Sequence, residues 1–147
     1  MQTIQQIQDA IDDITGSKVD RSSLILFPFT CDLGFNVHIG KNVIVNYNCT
    51  FLDTAPITLG DNTKIGPDCH LLTADHPRDH VERRKHRVRG KPITIGDDCW
   101  LGANVTILPG VTIGNGCIIG AGSVVTKDVP DDKIWVGNPA QPVNRGR

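Results

Sequence analysis

Apolar side chains recur at every sixth position through most of this chain, a beat that neither an α-helix nor an ordinary strand produces. One register holds Leu59, Ile65 and Leu71, then Ile95, Leu101, Ile107, Ile113, Ile119 and Val125; another holds Phe27, Leu33, Ile39, Val45 and Phe51. A six-residue unit cannot bury an apolar face by itself, so successive units must stack. The predicted fold is an all-β solenoid, a parallel β-helix.

Three hexads make a turn of eighteen residues. Residues 27–44 read as one turn and 45–64 as a second with two extra residues near Ala55-Pro56. Residues 65–94 read as a third with twelve extra, and 95–112 and 113–130 as two regular turns. The excess is assigned to an inserted loop of about 73–90, and an insertion into a repeat maps to a working face. Glycine follows the inward residue in many hexads, Gly66 and Gly102 among them, where a Cβ would obstruct a tight bend. Ahead of the coil, Ile4, Ile7, Ile11 and Ile14 predict a short amphipathic helix stopped by Gly16 and serving as an end cap. Residues 1–26 are thus helix and connector, and 27–143 the β-helix with its loop and C-terminal tail. A short strand at residues 134–136 and a basic end at Arg145 and Arg147 close the chain.

Five cysteines raise disulfides or zinc, but their positions point elsewhere. With the inward residue as position 1, Cys31, Cys49, Cys69, Cys99 and Cys117 are all assigned to position 5. Val43, Thr63, Val105, Val111 and Ser123 fill that slot in other hexads, so it takes compact side chains. No Cys-x-x-Cys pair occurs, and no metal site is expected. With 15 basic against 16 acidic residues, no charge excess points to nucleic acid or an anionic membrane. No apolar run of spanning length and no basic-then-apolar leader at Met1 is present, so a cytoplasmic protein is expected.

Several strings in this frame carry more specific information. They include Asn46-Tyr47-Asn48-Cys49-Thr50, Thr73-Ala74-Asp75-His76-Pro77, Leu108-Pro109-Gly110-Val111-Thr112-Ile113-Gly114, Ala121-Gly122-Ser123-Val124-Val125-Thr126-Lys127 and Gly137-Asn138-Pro139. Over about residues 25–143 the chain resembles the hexapeptide-repeat acyltransferases, and more narrowly the maltose/galactoside O-acetyltransferase group. The resemblance implies a left-handed parallel β-helix, a homotrimer with active sites between subunits, acetyl-CoA as donor and a hydroxylated small molecule as acceptor. The left hand runs against the usual right-handed crossover preference and comes from the resemblance alone.

Moving an acetyl group from a thioester to a hydroxyl needs a base, stabilisation of developing oxygen charge, and positioning of both substrates. The resemblance makes His76 the general base, since an imidazole takes and returns a proton near neutral pH, with Pro77 restraining the backbone beside it. It makes Asn46 and Asp53 residues that contact the acceptor or support the catalytic His, with Asp32 on the same acceptor rim, although Asn and Asp also serve turns. Trp100 would line the pantetheine slot, and Gly102 and Ala103 would offer amides near the thioester. Ala121, Thr126 and Lys127 match positions along the CoA path, and Arg145 would meet a CoA phosphate. Phe35 and Thr54 depart from one branch of the family, which has serine and a second Asp there. Members closest to the sugar acetyltransferases carry a longer N-terminal helical region, so acceptor contacts from that region are not expected here.

The inserted loop is basic, with Arg78, Arg83, Arg84, Lys85, Arg87, Arg89 and Lys91 against Asp75, Asp79 and Glu82. Such a run reads either as a solvated face or as a lure for an anionic acceptor or CoA phosphates. Two other readings stay open. One is a metal-dependent hydratase like the γ-class carbonic anhydrases, drawing ligands from His38, His70, His76, His80 or His86; the other is an inactive trimeric scaffold.

Overall fold

The structure, a computed structural model, describes residues 2–144. After helix α1 (Ile4–Thr15) the chain coils. The first turn carries β1 (Leu24–Ile25), β2 (Phe29–Cys31) and β3 (Val37–Ile39); the second carries β4 (Ile44–Val45), β5 (Cys49–Leu52) and β6 (Ile57–Leu59). The third holds β7 (Lys64–Ile65) and β8 (His70–Leu72), then the excursion with β9 (Ala74–Asp75), α2 (His80–Arg83) and β10 (Arg89–Gly90), and returns at β11 (Ile93–Ile95). The fourth holds β12 (Trp100–Leu101), β13 (Thr106–Ile107) and β14 (Thr112–Ile113). Finally come β15 (Ile118–Ile119), β16 (Val124–Val125), β17 (Ile134–Gly137) and β18 (Ala140–Pro142).

Strands stack in parallel into three faces. The first runs β1-β4-β7-β12-β15-β17, with β18 added antiparallel; the second runs β2-β5-β8-β13-β16; the third runs β3-β6-β11-β14. Inward residues form columns along each face, such as Ile25, Val45, Ile65, Leu101 and Ile119 on the first. All five are buried, as are Phe51, Leu71, Ile107 and Val125 on the second face. Each inward leucine or isoleucine contributes about 1.5–3 kcal/mol, which no single turn could collect without its neighbours.

The pairing corrects the predicted turn count. Equivalent residues lie 20 apart between the first two turns, 36 apart across the excursion, 18 apart beyond it and 16 apart at the last turn. The excursion thus takes up eighteen residues beyond a regular turn instead of twelve, and the final turn is two residues short. In the first turn Ile25, Cys31 and Ile39 align with Val45, Phe51 and Leu59. Phe27 lies outside the column and Leu33 is 49% exposed. Leu24–Ile25, assigned to the connector, is the first strand of the coil. A six-residue spacing does not say on which face a turn begins, and Phe27, Leu33 and Ile39 mimic the beat across a two-residue bulge.

Cys31 accordingly leaves the compact slot for an inward position, and the other four cysteines keep it, all buried. The slot has a chemical use beyond size. Cys49 donates its S–H to the Gly66 carbonyl at 3.2 Å, Cys69 to Gly102 at 3.2 Å, Cys99 to Gly114 at 3.0 Å and Cys117 to Pro130 at 3.0 Å. Ser23 and Thr63 do the same with hydroxyls, to Gly40 at 2.7 Å and Gly96 at 2.8 Å. Each pairs an inward corner carbonyl that the strand ladders leave over. The corners also need left-handed backbone, met by Asn48, Asp68 and Asn104 at φ of 62°, 60° and 57°. Gly66 serves a different end: a Cβ there would sit 2.7 Å from the Gly102 carbonyl carbon of the next turn.

Helix α1 begins with a reciprocal cap, the Thr3 hydroxyl accepting from the Gln6 amide and the Gln6 side chain accepting from the Thr3 amide. Gly16, at φ +68°, ends it. Ile11 is buried and Ile7 half-buried against the core, whereas Ile4 at the far end is 65% exposed. The helix packs on β1, and its last turn lies over Gly34, where a Cβ would collide with the Ile14 carbonyl. It therefore covers the first turn of the coil. No helix among the described residues is long and apolar enough to cross a membrane.

Candidate functional site

The excursion leaves the corner between the second and third faces on a short stalk. β9 and β10 pair antiparallel, Asp75 opposite Arg89 and Ala74 opposite Gly90. Thr73, fully buried, roots it: its hydroxyl donates to the Leu52 carbonyl at 2.7 Å and accepts from the Ala55 amide at 2.9 Å. Its carbonyl accepts from the Lys91 amide at 2.9 Å. Gly90 presses so closely on the second turn that a Cβ would lie 2.6 Å from that of Ala55.

Past the stalk the chain is tied by short-range bonds. The Asp79 carboxylate accepts from the Glu82 amide at 3.0 Å and so caps α2, and Arg83 donates to the carbonyls of Pro77 and Arg78 at 3.3 and 3.2 Å. His76 is the first residue beyond β9, and its side chain is exposed. Beside it the Asp75 carboxylate lies 3.2 Å from the Lys91 ammonium. The hydrogen bond from Lys91 holds Asp75 below the usual carboxylate range, helped by the His76 backbone amide and by the Arg78 charge nearby.

The bulge of the first turn shares this corner. Asp53, with no exposed surface, accepts through Oδ1 from the amides of Asp32 and Leu33 at 3.1 and 2.8 Å, and through Oδ2 from Asn36 at 3.1 Å. Its carboxylate is thus committed to holding the bulge, and a direct acceptor contact by Asp53 is not what this geometry offers. Asp32 stands exposed on the bulge and accepts from the Thr54 hydroxyl at 2.9 Å. Thr126 and Lys127 also lie here, exposed, and Thr126 borders a groove of about 370 Å³ with Leu72, Ala74 and Leu108.

The remaining predicted residues gather elsewhere. Trp100, on β12, points outward from the first face and is 55% exposed. Gly102 and Ala103 turn the corner between the first and second faces, stacked on Ala121 of the next turn and two turns beyond Asn46. The Gly102 amide donates to the Ile119 carbonyl at 2.9 Å and is spent in the coil, which corrects its expected availability. The Ala103 amide has no acceptor among the described residues, and Ala103 is exposed. Asn46 accepts from the Tyr47 amide at 2.7 Å through its side-chain oxygen. Arg145 lies outside the described residues.

A single copy of the chain therefore does not assemble the predicted site. His76, Asp32, Thr126 and Lys127 occupy one corner; Trp100, Ala103, Ala121 and Asn46 occupy the first face and the corner that ends it. The six-residue beat held no signal for the Asp75–Lys91 pair or the Thr73 root, because their partners meet only when the stalk folds back. His38 on β3 and His70 on β8 stand on different faces, and no three His, Cys, Asp or Glu side chains converge among the described residues.

Residues 92–127 match the family of bacterial transferase hexapeptides (six repeats). An inferred acetyltransferase of Schizosaccharomyces pombe is 52% identical over 118 residues, 80% of this chain, and the chain spans 57% of that relative's length. The crystal structure of a maltose O-acetyltransferase from Clostridium difficile matches with a TM-score of 0.90 at 40% identity, over 95% of this chain and 74% of that one. A hexapeptide-repeat acetyltransferase from Vibrio cholerae, crystallised with acetyl coenzyme A, matches with a TM-score of 0.84 at 36% identity, over 95% of this chain and 75% of that one. The coil belongs to the left-handed parallel β-helix class.

Proposed function

The chain belongs to the hexapeptide-repeat acetyltransferases, and from that premise we propose that it transfers acetyl from acetyl-CoA to a hydroxyl of a sugar or related small molecule. The observation that carries this reading is the exposed imidazole of His76 on a clamped stalk, the one long excursion from an otherwise regular shaft among the described residues. Solved relatives supply the donor and acceptor classes: one holds acetyl coenzyme A and another is a maltose O-acetyltransferase.

The separation of the two half-sites gives the assembly a function. Copies of the chain arranged as a homotrimer bring the His76 corner of one subunit against the Trp100 face of the next. Trp100 then offers a flat apolar wall to the pantetheine arm, and Ala103 its free amide to developing oxygen charge. Ala121, Thr126 and Lys127 lie along the CoA path. Asn46 and Asp32 address the acceptor, with Asp53 positioning Asp32 through the bulge.

Donor and acceptor are bound together. The thioester supplies an acyl carbon open to attack. His76 accepts the proton of the acceptor hydroxyl as that oxygen bonds to the acyl carbon, and it returns the proton to the sulfur as the carbon–sulfur bond breaks. No acyl-enzyme is needed. Thiol release from acetyl-CoA across a panel of hydroxylated acceptors tests the reading. Release that depends on both an acceptor and His76 supports it; release with amines only would replace the hydroxyl, and none at all would remove the activity.

A further inference from the structure

A groove of about 280 Å³ runs beside His76, lined by Asp75, Arg78, Asp79, Arg89 and Lys91. Its formal charges nearly cancel, but their commitments do not. Asp75 is paired with Lys91, and the Asp79 carboxylate caps α2. Arg78 and Arg89 have no carboxylate partner among the described residues. Arg89 lies directly opposite Asp75 on the stalk, while Arg83, farther out on the excursion, is spent on backbone carbonyls. Two guanidiniums without a carboxylate partner thus line the same groove as the exposed imidazole.

We propose that Arg78 and Arg89 bind an acidic group of the acceptor, so that the preferred substrate is a hydroxylated molecule bearing a carboxylate or phosphate. The inference rests on the acetyl-transfer reading and narrows its acceptor class. A guanidinium offers paired N–H donors that match the oxygens of either anion, and such charge-assisted bonds are the stronger kind. The anchor also orients: an acid held by the two arginines leaves the rest of a small acceptor within reach of the imidazole. A neutral sugar has nothing to fill the site.

The test compares matched acceptors, glucose with glucuronate and glucose 6-phosphate, by thiol release from acetyl-CoA. The proposal expects kcat/KM for an anionic member to exceed that for glucose by roughly tenfold or more. In Arg78→Ala and Arg89→Ala that advantage collapses, with circular dichroism confirming the fold. Equal use of charged and neutral acceptors by the unaltered protein overturns it. The same chemistry could serve the donor's phosphates, so a second arm measures KM for acetyl-CoA and for its 3′-dephospho form. If the arginine variants instead raise the acetyl-CoA KM and erase the difference between those donors, the acceptor assignment fails. A third arm measures binding of glucuronate and inorganic phosphate by calorimetry. Binding that needs both arginines but not His76, in a protein without turnover, would keep the anion site while removing the acetyl-transfer reading; no binding in that protein removes both.

Discussion

The Asp75 carboxylate faces the Lys91 ammonium at 3.2 Å across the stalk that carries His76, and this contact orders the segment on which the proposed chemistry depends. Both groups are partly exposed to water, so the pair contributes little to global stability. Its effect is local, fixing where the chain leaves β9. Because the folded protein holds Asp75 below the ordinary carboxylate range, the contact is fully present above that range and is lost as pH falls through the lowered value. The His76 amide resonance, followed by NMR from neutrality downward, should stay constant until below the ordinary carboxylate midpoint. In Lys91→Met the change should come earlier, at higher pH.

Replacing His76 with Ala should reduce turnover by roughly 10²- to 10⁴-fold, the usual share of a positioned base. Its side chain is exposed, so thermal unfolding should be nearly unchanged. Steady-state thiol release checks the first part and calorimetry the second; unchanged turnover would remove His76 from the mechanism.

Trp100→Ala should raise the KM for acetyl-CoA severalfold and leave that for the acceptor close to its starting value. The side chain stands outward from the first face, 55% exposed, so the shaft does not need it. Equal loss for both substrates would mean that the indole shapes the site instead of binding the donor.

Asp53→Ala should be costly in stability, by about 2–4 kcal/mol, because three backbone amides lose a buried ionic acceptor at once. Urea unfolding reads this. The bulge carrying Asp32, Leu33 and Asn36 should loosen too, seen as faster amide exchange confined to that corner.

The buried Cys69 and Cys99 thiols should stay silent toward an aromatic disulfide reagent in the native protein and react on denaturation. The neighbouring Cys49 sulfur and burial push the Cys69 thiol up, and burial does the same for Cys99, so neither yields thiolate near neutral pH. Cys69→Ala should destabilise by about 1 kcal/mol, through the Gly102 carbonyl left unpaired.

How much of this was legible in the residues can be followed at single positions. Ile65, Leu101 and Ile119 announce their inward column because burial every sixth residue is a repeating, local demand. Leu33 obeys the same spacing and is exposed, because the bulge that displaces it is held by a carboxylate twenty residues later. The glycines after inward residues were legible as tight points, but the obstacle at Gly66 is the next turn and not its own bend. The thiol slot was legible by size; its hydrogen bonds were not, because their acceptors lie on other turns.

The amino-acid order alone determined the coil, the existence of one large excursion and the family strings that single out His76 and Trp100. These are properties of short stretches, and each repeat imposes them again. Only the folded chain decided the phase of the turns, the commitment of Asp53 and the Gly102 amide to structure, and the division of the site between two corners. Those outcomes depend on which residues meet across 16 to 36 positions of intervening chain, and spacing along the backbone carries no record of such meetings.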